Sequence, residues 1–113
     1  MAIITSHTLN GLDGTHAAGI SVSLVKVGTA AAQPMPPTDI RGRLSLEIAP
    51  DNLDPNATYE LVFDTGTYWS QLGHGSRNVI NEIVLRFDMP DISGHYHMPV
   101  IVSPYSYSTW KSG

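Results

Sequence analysis

Tyr59-Glu60-Leu61-Val62-Phe63-Asp64-Thr65-Gly66-Thr67-Tyr68-Trp69 is the stretch on which the fold turns. Tyr59, Leu61 and Phe63 alternate with Glu60, Val62 and Asp64, the period of a strand with one buried face. The alternation stops at Thr65, and residues 65–72, bounded by Gly66 and Gly73, are the only helix candidate in the chain. Downstream, Ile83, Leu85 and Phe87 alternate with Glu82, Val84 and Arg86; upstream, Ile20, Val22 and Leu24 alternate with Ser21 and Ser23. Each run puts apolar residues inside and a mixed set outside.

Turn signals separate these runs. Asn10-Gly11, Asp13-Gly14 and Gly19 come first, then an irregular connection through Pro34, Pro36 and Pro37, then Asp51, Asn52, Asp54, Pro55 and Asn56. Strands at this spacing predict an all-β, antiparallel sandwich or barrel with one short helix, in a single domain spanning 1–113. Between Tyr96 and Val102 both faces are apolar, with Met98, Val100 and Val102 against Pro99 and Ile101. Such a strand is expected to be covered on both sides, and in a short chain the second cover is expected from another subunit.

The chain has 113 residues, enough for one domain with one core. A net charge of -4 without a basic cluster argues against nucleic-acid and anionic-membrane partners. With no cysteine there is no disulfide framework, thiolate metal site or cysteine nucleophile, which fits a reducing compartment. The opening Met1-Ala2-Ile3-Ile4-Thr5-Ser6-His7 lacks a basic region followed by an apolar run, no stretch approaches the roughly 20 apolar residues of a membrane span, and the end is not a peroxisomal address. The Asn56-Ala57-Thr58 sequon carries no weight without secretion. A soluble, cytoplasmic protein is expected.

The five histidines, His7, His16, His74, His95 and His97, are the main candidates for chemistry. His95 and His97 share a strand face about 7 Å apart, and His7 shares one with Ile3, Thr5 and Leu9. Any one of them alone reads first as a hydrogen-bonded core residue. Together with an arginine, histidines suit hydrolysis of an anionic or carbonyl-rich ring: an imidazole activates water and a guanidinium grips oxygens in a fork. The same residues, His7, His95 and His97, also suit zinc if a further ligand completes the set. There is no Gly-x-Ser-x-Gly elbow, and the glycines at 11, 14 and 19 do not form a phosphate loop. Asp88 and Asp91, flanking Pro90, read as turn residues rather than as a catalytic pair.

The C-terminal run His95-Tyr96-His97-Met98-Pro99-Val100-Ile101-Val102-Ser103-Pro104-Tyr105-Ser106-Tyr107-Ser108-Thr109-Trp110-Lys111-Ser112-Gly113 resembles the closing stretch of the transthyretin family. There, a Tyr-His-x-Pro strand runs into Ser-Pro-Tyr-x-Tyr-Ser-Thr, and in the 5-hydroxyisourate hydrolase branch the chain ends Tyr-Arg-Gly-Ser. Ser6-His7-Thr8-Leu9-Asn10 with Gly14-Thr15-His16-Ala17 resembles the family's opening His-Val-Leu-Asp and Gly-x-Pro-Ala. Thr38-Asp39-Ile40-Arg41-Gly42-Arg43 resembles its Thr-Asp-x-x-Gly-Arg, and 59–69 resembles the strand and short helix that follow.

The resemblance implies a transthyretin-like two-sheet sandwich of eight strands with one helix, a homotetramer built as a dimer of dimers, and sites in a channel between dimers. It implies a cyclic amide hydrolase of urate degradation that needs no cofactor and no metal. The family's catalytic His, Arg and His fall on His7, Arg43 and His97, a trio that hormone carriers do not keep. Arg41 is a neighbour that reads as a surface charge or as a stand-in for Arg43 two places away. Substrate contacts are expected from Ser108, Trp110, Lys111 and Ser112. Several positions depart from the pattern: Trp110-Lys111-Ser112-Gly113 replaces Tyr-Arg-Gly-Ser, Asn10 replaces Asp, His16 replaces Pro, and Asn81 stands where proline is common. These departures leave open a divergent member acting on another cyclic ureide or lactam. The 103–109 run, shared with the carrier branch, leaves open a non-catalytic carrier of small ligands.

Overall fold

In a computed structural model, residues 1–29, 32–74 and 79–112 are described. Strand β1 (Ala2–Asn10) is followed by β2 (Val22–Lys26), β3 (Ala32–Pro34), β4 (Arg43–Ile48), β5 (Thr58–Phe63), helix α1 (Thr65–Gln71), β6 (Ile83–Asp88), β7 (His95–His97), β8 (Val100–Ser103) and β9 (Ser106–Thr109). They form two sheets. One has the order β4-β1-β8-β9 with β7 also paired to β1, and the other the order β3-β2-β5-β6.

The predicted alternation holds where it was read. Val22, Leu24, Tyr59, Leu61, Phe63 and Ile83 are buried in one cluster with Trp69 and Val100, and Leu85 and Phe87 pack against it half-buried. The helix starts where the alternation ends. Asp64 caps it, its carboxylate accepting from the Thr67 amide at 3.1 Å and the Thr67 hydroxyl at 2.8 Å. Tyr68 and Trp69 face the core, and the Tyr68 hydroxyl accepts from Asn10 Nδ2 at 3.2 Å, tying α1 to the end of β1.

Three details differ from the sequence reading. The described residues form nine strands where eight are expected, because the closing strand is divided into β7 and β8 at Met98-Pro99, where proline brings no N–H to the ladder. The sheets are not purely antiparallel: β1 pairs in parallel with β7 (Thr5 opposite His97) and with β8 (Leu9 opposite Ile101). Pro34 is not irregular chain but the last residue of β3, an edge strand, where a missing N–H is tolerated.

The strand β1 reverses the usual polarity. Its inward face carries Ala2, Ile4, Ser6, Thr8 and Asn10, all buried, while Ile3, Thr5, His7 and Leu9 lie half-buried on the outer face. The buried polar groups are satisfied: Ser6 donates to the Met98 carbonyl at 2.8 Å, and Thr8 donates to the Ala17 carbonyl at 2.6 Å. They fasten loops to the strand, and the histidine is left on the other side.

Candidate active site

Strand register assembles the outer face. His7 pairs with Arg43 on β4, and Thr5 pairs with Ser45 on β4 and with His97 on β7. Paired residues project to the same side of a sheet, so the three residues implied by the resemblance share one face. Arg41 does not reach that register position; it lies exposed in the turn before β4.

The turn that delivers Arg43 is built around Asp39. Its carboxylate accepts from the Arg41 amide at 2.8 Å and the Arg43 amide at 2.9 Å, while the Gly42 amide donates to the Asp39 carbonyl at 2.8 Å. Those amides, led by that of Arg43, hold the Asp39 carboxyl below the ordinary carboxylate value. Gly42 has a φ of 71°, and a Cβ there would collide with the Thr8 carbonyl oxygen.

On β7, His95 and His97 do share a face, with ring centroids 6.4 Å apart. The Thr5 hydroxyl sits between them, 2.8 Å from His95 Nε2 and 2.7 Å from His97 Nδ1. A hydroxyl has one hydrogen to give, so it donates to one imidazole and accepts from the other. A cavity of about 570 Å³ opens here, lined by Thr5, Ser45, Asp39, Arg43, His95 and His97. That volume lies in the range of small-molecule sites. His7 flanks this cavity rather than lining it.

Burial lowers the basicity of His97, and the Arg43 guanidinium and His95 add to the effect. His7 is lowered in the same way, first by burial, then by Arg43 and His16. Both imidazoles are therefore held below the ordinary histidine value of 6.5. Neutral imidazoles beside a fixed cation suit proton acceptance next to a developing negative charge.

The remaining expected contacts divide. Ser108 pairs with Ile101 on the site face, next to Leu9. Ser112 forms an isolated bridge with His97, its amide donating to the His97 carbonyl at 2.9 Å. Trp110 and Lys111 lie elsewhere, in a separate cavity of about 410 Å³ with Val84, Phe87 and Met98. Gly113, the end of the departing block, lies outside the described residues. His74 packs edge-on against Trp69, away from the site.

Asp91 is a turn residue, its carboxylate accepting from the Ser93 amide at 2.9 Å, and Asp88 ends β6 with its carboxylate accepting from Thr58. Among the described residues, no group of three or more His, Cys, Asp or Glu is arranged to hold a metal ion, so His7, His95 and His97 do not converge as a zinc set. Two participants had no assigned place in the site from the sequence: Thr5, which bridges two histidines, and His16, one of the five candidate histidines, which meets His7. The shared period of Thr5 with His7 was a usable signal; for His16 there was only its departure from proline.

Known proteins bear on this geometry. The 5-hydroxyisourate hydrolase of Deinococcus radiodurans is 32% identical over 111 residues, covering 96% of this chain and 93% of its own length. That of Mus musculus is 30% identical over 112 residues, covering 96% and 92%. Among solved structures, the 5-hydroxyisourate hydrolase of Klebsiella pneumoniae superposes with a TM-score of 0.80 at 25% identity, each chain covered over 100% of its length. The family model described as HIUase/Transthyretin matches residues 4–112, and with these relatives it shows that the chain belongs to the HIUase/Transthyretin family.

Proposed function

We propose that this protein hydrolyses a ring amide of 5-hydroxyisourate in urate breakdown. The observation that carries the reading is the single outer face holding His7, Arg43 and His97 beside a cavity of about 570 Å³. The full-length similarity to 5-hydroxyisourate hydrolases supports the same substrate.

In this reading His97 is the general base. Thr5 engages its Nδ1, which leaves Nε2 to take a proton from water as the water oxygen attacks the ring carbonyl carbon. Arg43 then holds the developing oxyanion, an interaction that contributes roughly 3–4 kcal/mol in comparable sites. As the tetrahedral intermediate collapses, the C–N bond breaks and the proton on His97 passes to the leaving nitrogen. The reaction needs no cofactor. Ser108 and Ser112 adjoin this face, whereas Trp110 and Lys111 line a separate cavity.

Assembly belongs to the same proposal. The half-buried Ile3, Leu9 and Ile101 around the site suit a second subunit laid over this face, as in a homotetramer formed from two dimers. No helix among the described residues is long and apolar enough to cross a membrane, and we place the protein in the cytoplasm.

The test is ultraviolet absorbance of 5-hydroxyisourate generated in place from urate. Accelerated decay with the protein, reduced about a hundredfold or more in His97→Ala, supports the reading. Decay at the spontaneous rate sinks it. The separation of Trp110 and Lys111 from the site face favours one second reading, hydrolysis of another cyclic ureide or lactam. Turnover of such a ring without turnover of 5-hydroxyisourate would establish it.

A further inference from the structure

The chain between β1 and β2 doubles back over the end of β1. Asp13 stiffens the turn, its carboxylate accepting from the Thr15 amide at 2.9 Å and the Thr15 hydroxyl at 2.6 Å. The Asn10 amide donates to the Thr15 carbonyl at 2.8 Å, and the Ala17 amide to the Thr8 carbonyl at 2.9 Å. Between those two bonds His16 forms an isolated antiparallel bridge with Leu9, which puts its side chain on the face that carries His7. The backbone of His16 is thus fixed on both sides although the residue is exposed.

His16 Nδ1 lies 3.1 Å from His7 Nε2, with ring centroids 5.2 Å apart and planes inclined by 37°. Two imidazoles at that separation share a single hydrogen, because one nitrogen must donate and the other accept. The Arg41 backbone carbonyl near His7 favours an N–H on the His7 ring. With Nε2 engaged by His16, the nitrogen left for that carbonyl is Nδ1. An N–H on Nδ1 makes Nε2 the acceptor, with His16 as the donor between the rings.

We propose that His16 is a positioning residue of the site: by donating to His7 Nε2, it fixes His7 in the Nδ1–H tautomer and occupies the nitrogen that would otherwise meet incoming water. The proposal deepens the hydrolase reading, since it leaves His97 as the histidine with a nitrogen available to act as base. Charged and titratable groups face His7 from three sides: Arg43 on β4, His97 on β7, and His16 itself. All three disfavour a second positive charge, which agrees with a neutral His7 accepting from its neighbour.

The test reads the ring nitrogens of His7 directly, by 15N NMR of the full chain between about pH 5 and about pH 8. It compares the wild type with His16→Phe and His16→Asn. The asparagine amide nitrogen occupies nearly the position of Nδ1 and donates without carrying charge. The wild type is expected to show the Nδ1–H form of His7. His16→Phe is expected to lose that preference and to move the His7 titration upward, and His16→Asn to restore the tautomer.

An unchanged His7 tautomer and titration in His16→Phe overturns the proposal, and so does a wild-type His7 protonated on Nε2. Activity is followed in the same samples. The expected NMR pattern in a protein that leaves 5-hydroxyisourate at its spontaneous rate upholds this inference while removing the hydrolase reading. Thermal midpoints of both variants close to wild type show that the fold is retained.

Discussion

Thr5 is the residue on which two histidines depend. Its hydroxyl contacts His95 and His97 at once, so the direction of its single hydrogen sets which ring nitrogen of each carries a proton. Thr5→Val keeps the shape of the side chain and removes that switch. Because His95 is exposed and His97 half-buried, water can replace the lost partner, and stability is expected to fall by no more than about 1 kcal/mol. The catalytic cost is larger: kcat/KM is expected to drop about tenfold, the worth of one oriented hydrogen bond, measured across the pH range. A profile identical to wild type would show that His97 is oriented by something else. At this scale the sequence was informative about type and face but not about partners. The family resemblance singles out His7, Arg43 and His97; the place of Thr5 between two imidazoles is not legible, because Thr5 and His97 stand far apart in the chain and meet only through parallel pairing.

Among the elements, the turn into β4 has the least freedom. Gly42 takes a positive φ while its carbonyl accepts from the Thr8 amide at 2.7 Å, so backbone packs on backbone with no room for a side chain. Gly42→Ala is expected to cost about 1–3 kcal/mol in urea unfolding and to lower activity through the displaced Arg43. A neutral effect on both would mean that the turn relaxes freely. The helix makes a simpler case. Trp69 is fully buried beneath the sheets, and Trp69→Ala is expected to cost about 3–5 kcal/mol, read as a lowered thermal midpoint. Strands β2, β5 and β6 and the helix were legible because alternation and its interruption are local properties of the chain. The outer edges were less so: proline closes β3 and divides β7 from β8, and hydrophobic pattern does not register a missing N–H.

For the whole molecule, the histidines couple stability to pH. His7 and His97 are held below their ordinary value in the folded state, so folding disfavours their protonation. The unfolded chain then binds more protons at mildly acid pH, and stability rises with pH through that range. The stabilising contribution is complete above about pH 6.5 and is lost as the pH falls from there through the lowered values. The urea midpoint is expected to decline between about pH 6.5 and about pH 5, and less so in the double variant His7→Gln, His97→Gln. A flat profile in the wild type would contradict the lowered values. Sedimentation at neutral pH tests the assembly, where a tetramer is expected and a monomer would leave the face around His7 uncovered.

By itself the amino-acid sequence determined an all-β fold with one short helix, the inward faces of β2, β5 and β6 and the family pattern in which His7, Arg43 and His97 stand out. All of these follow from residue order within a few positions or from ordered motifs. Only the tertiary structure decided that β1 turns its polar side inward, that its partners at β7 and β8 run parallel, and that His16 folds back onto His7. Those outcomes depend on pairing register and loop closure between distant segments. Their energies come from hydrogen bonds and packing that exist only once both partners are in place.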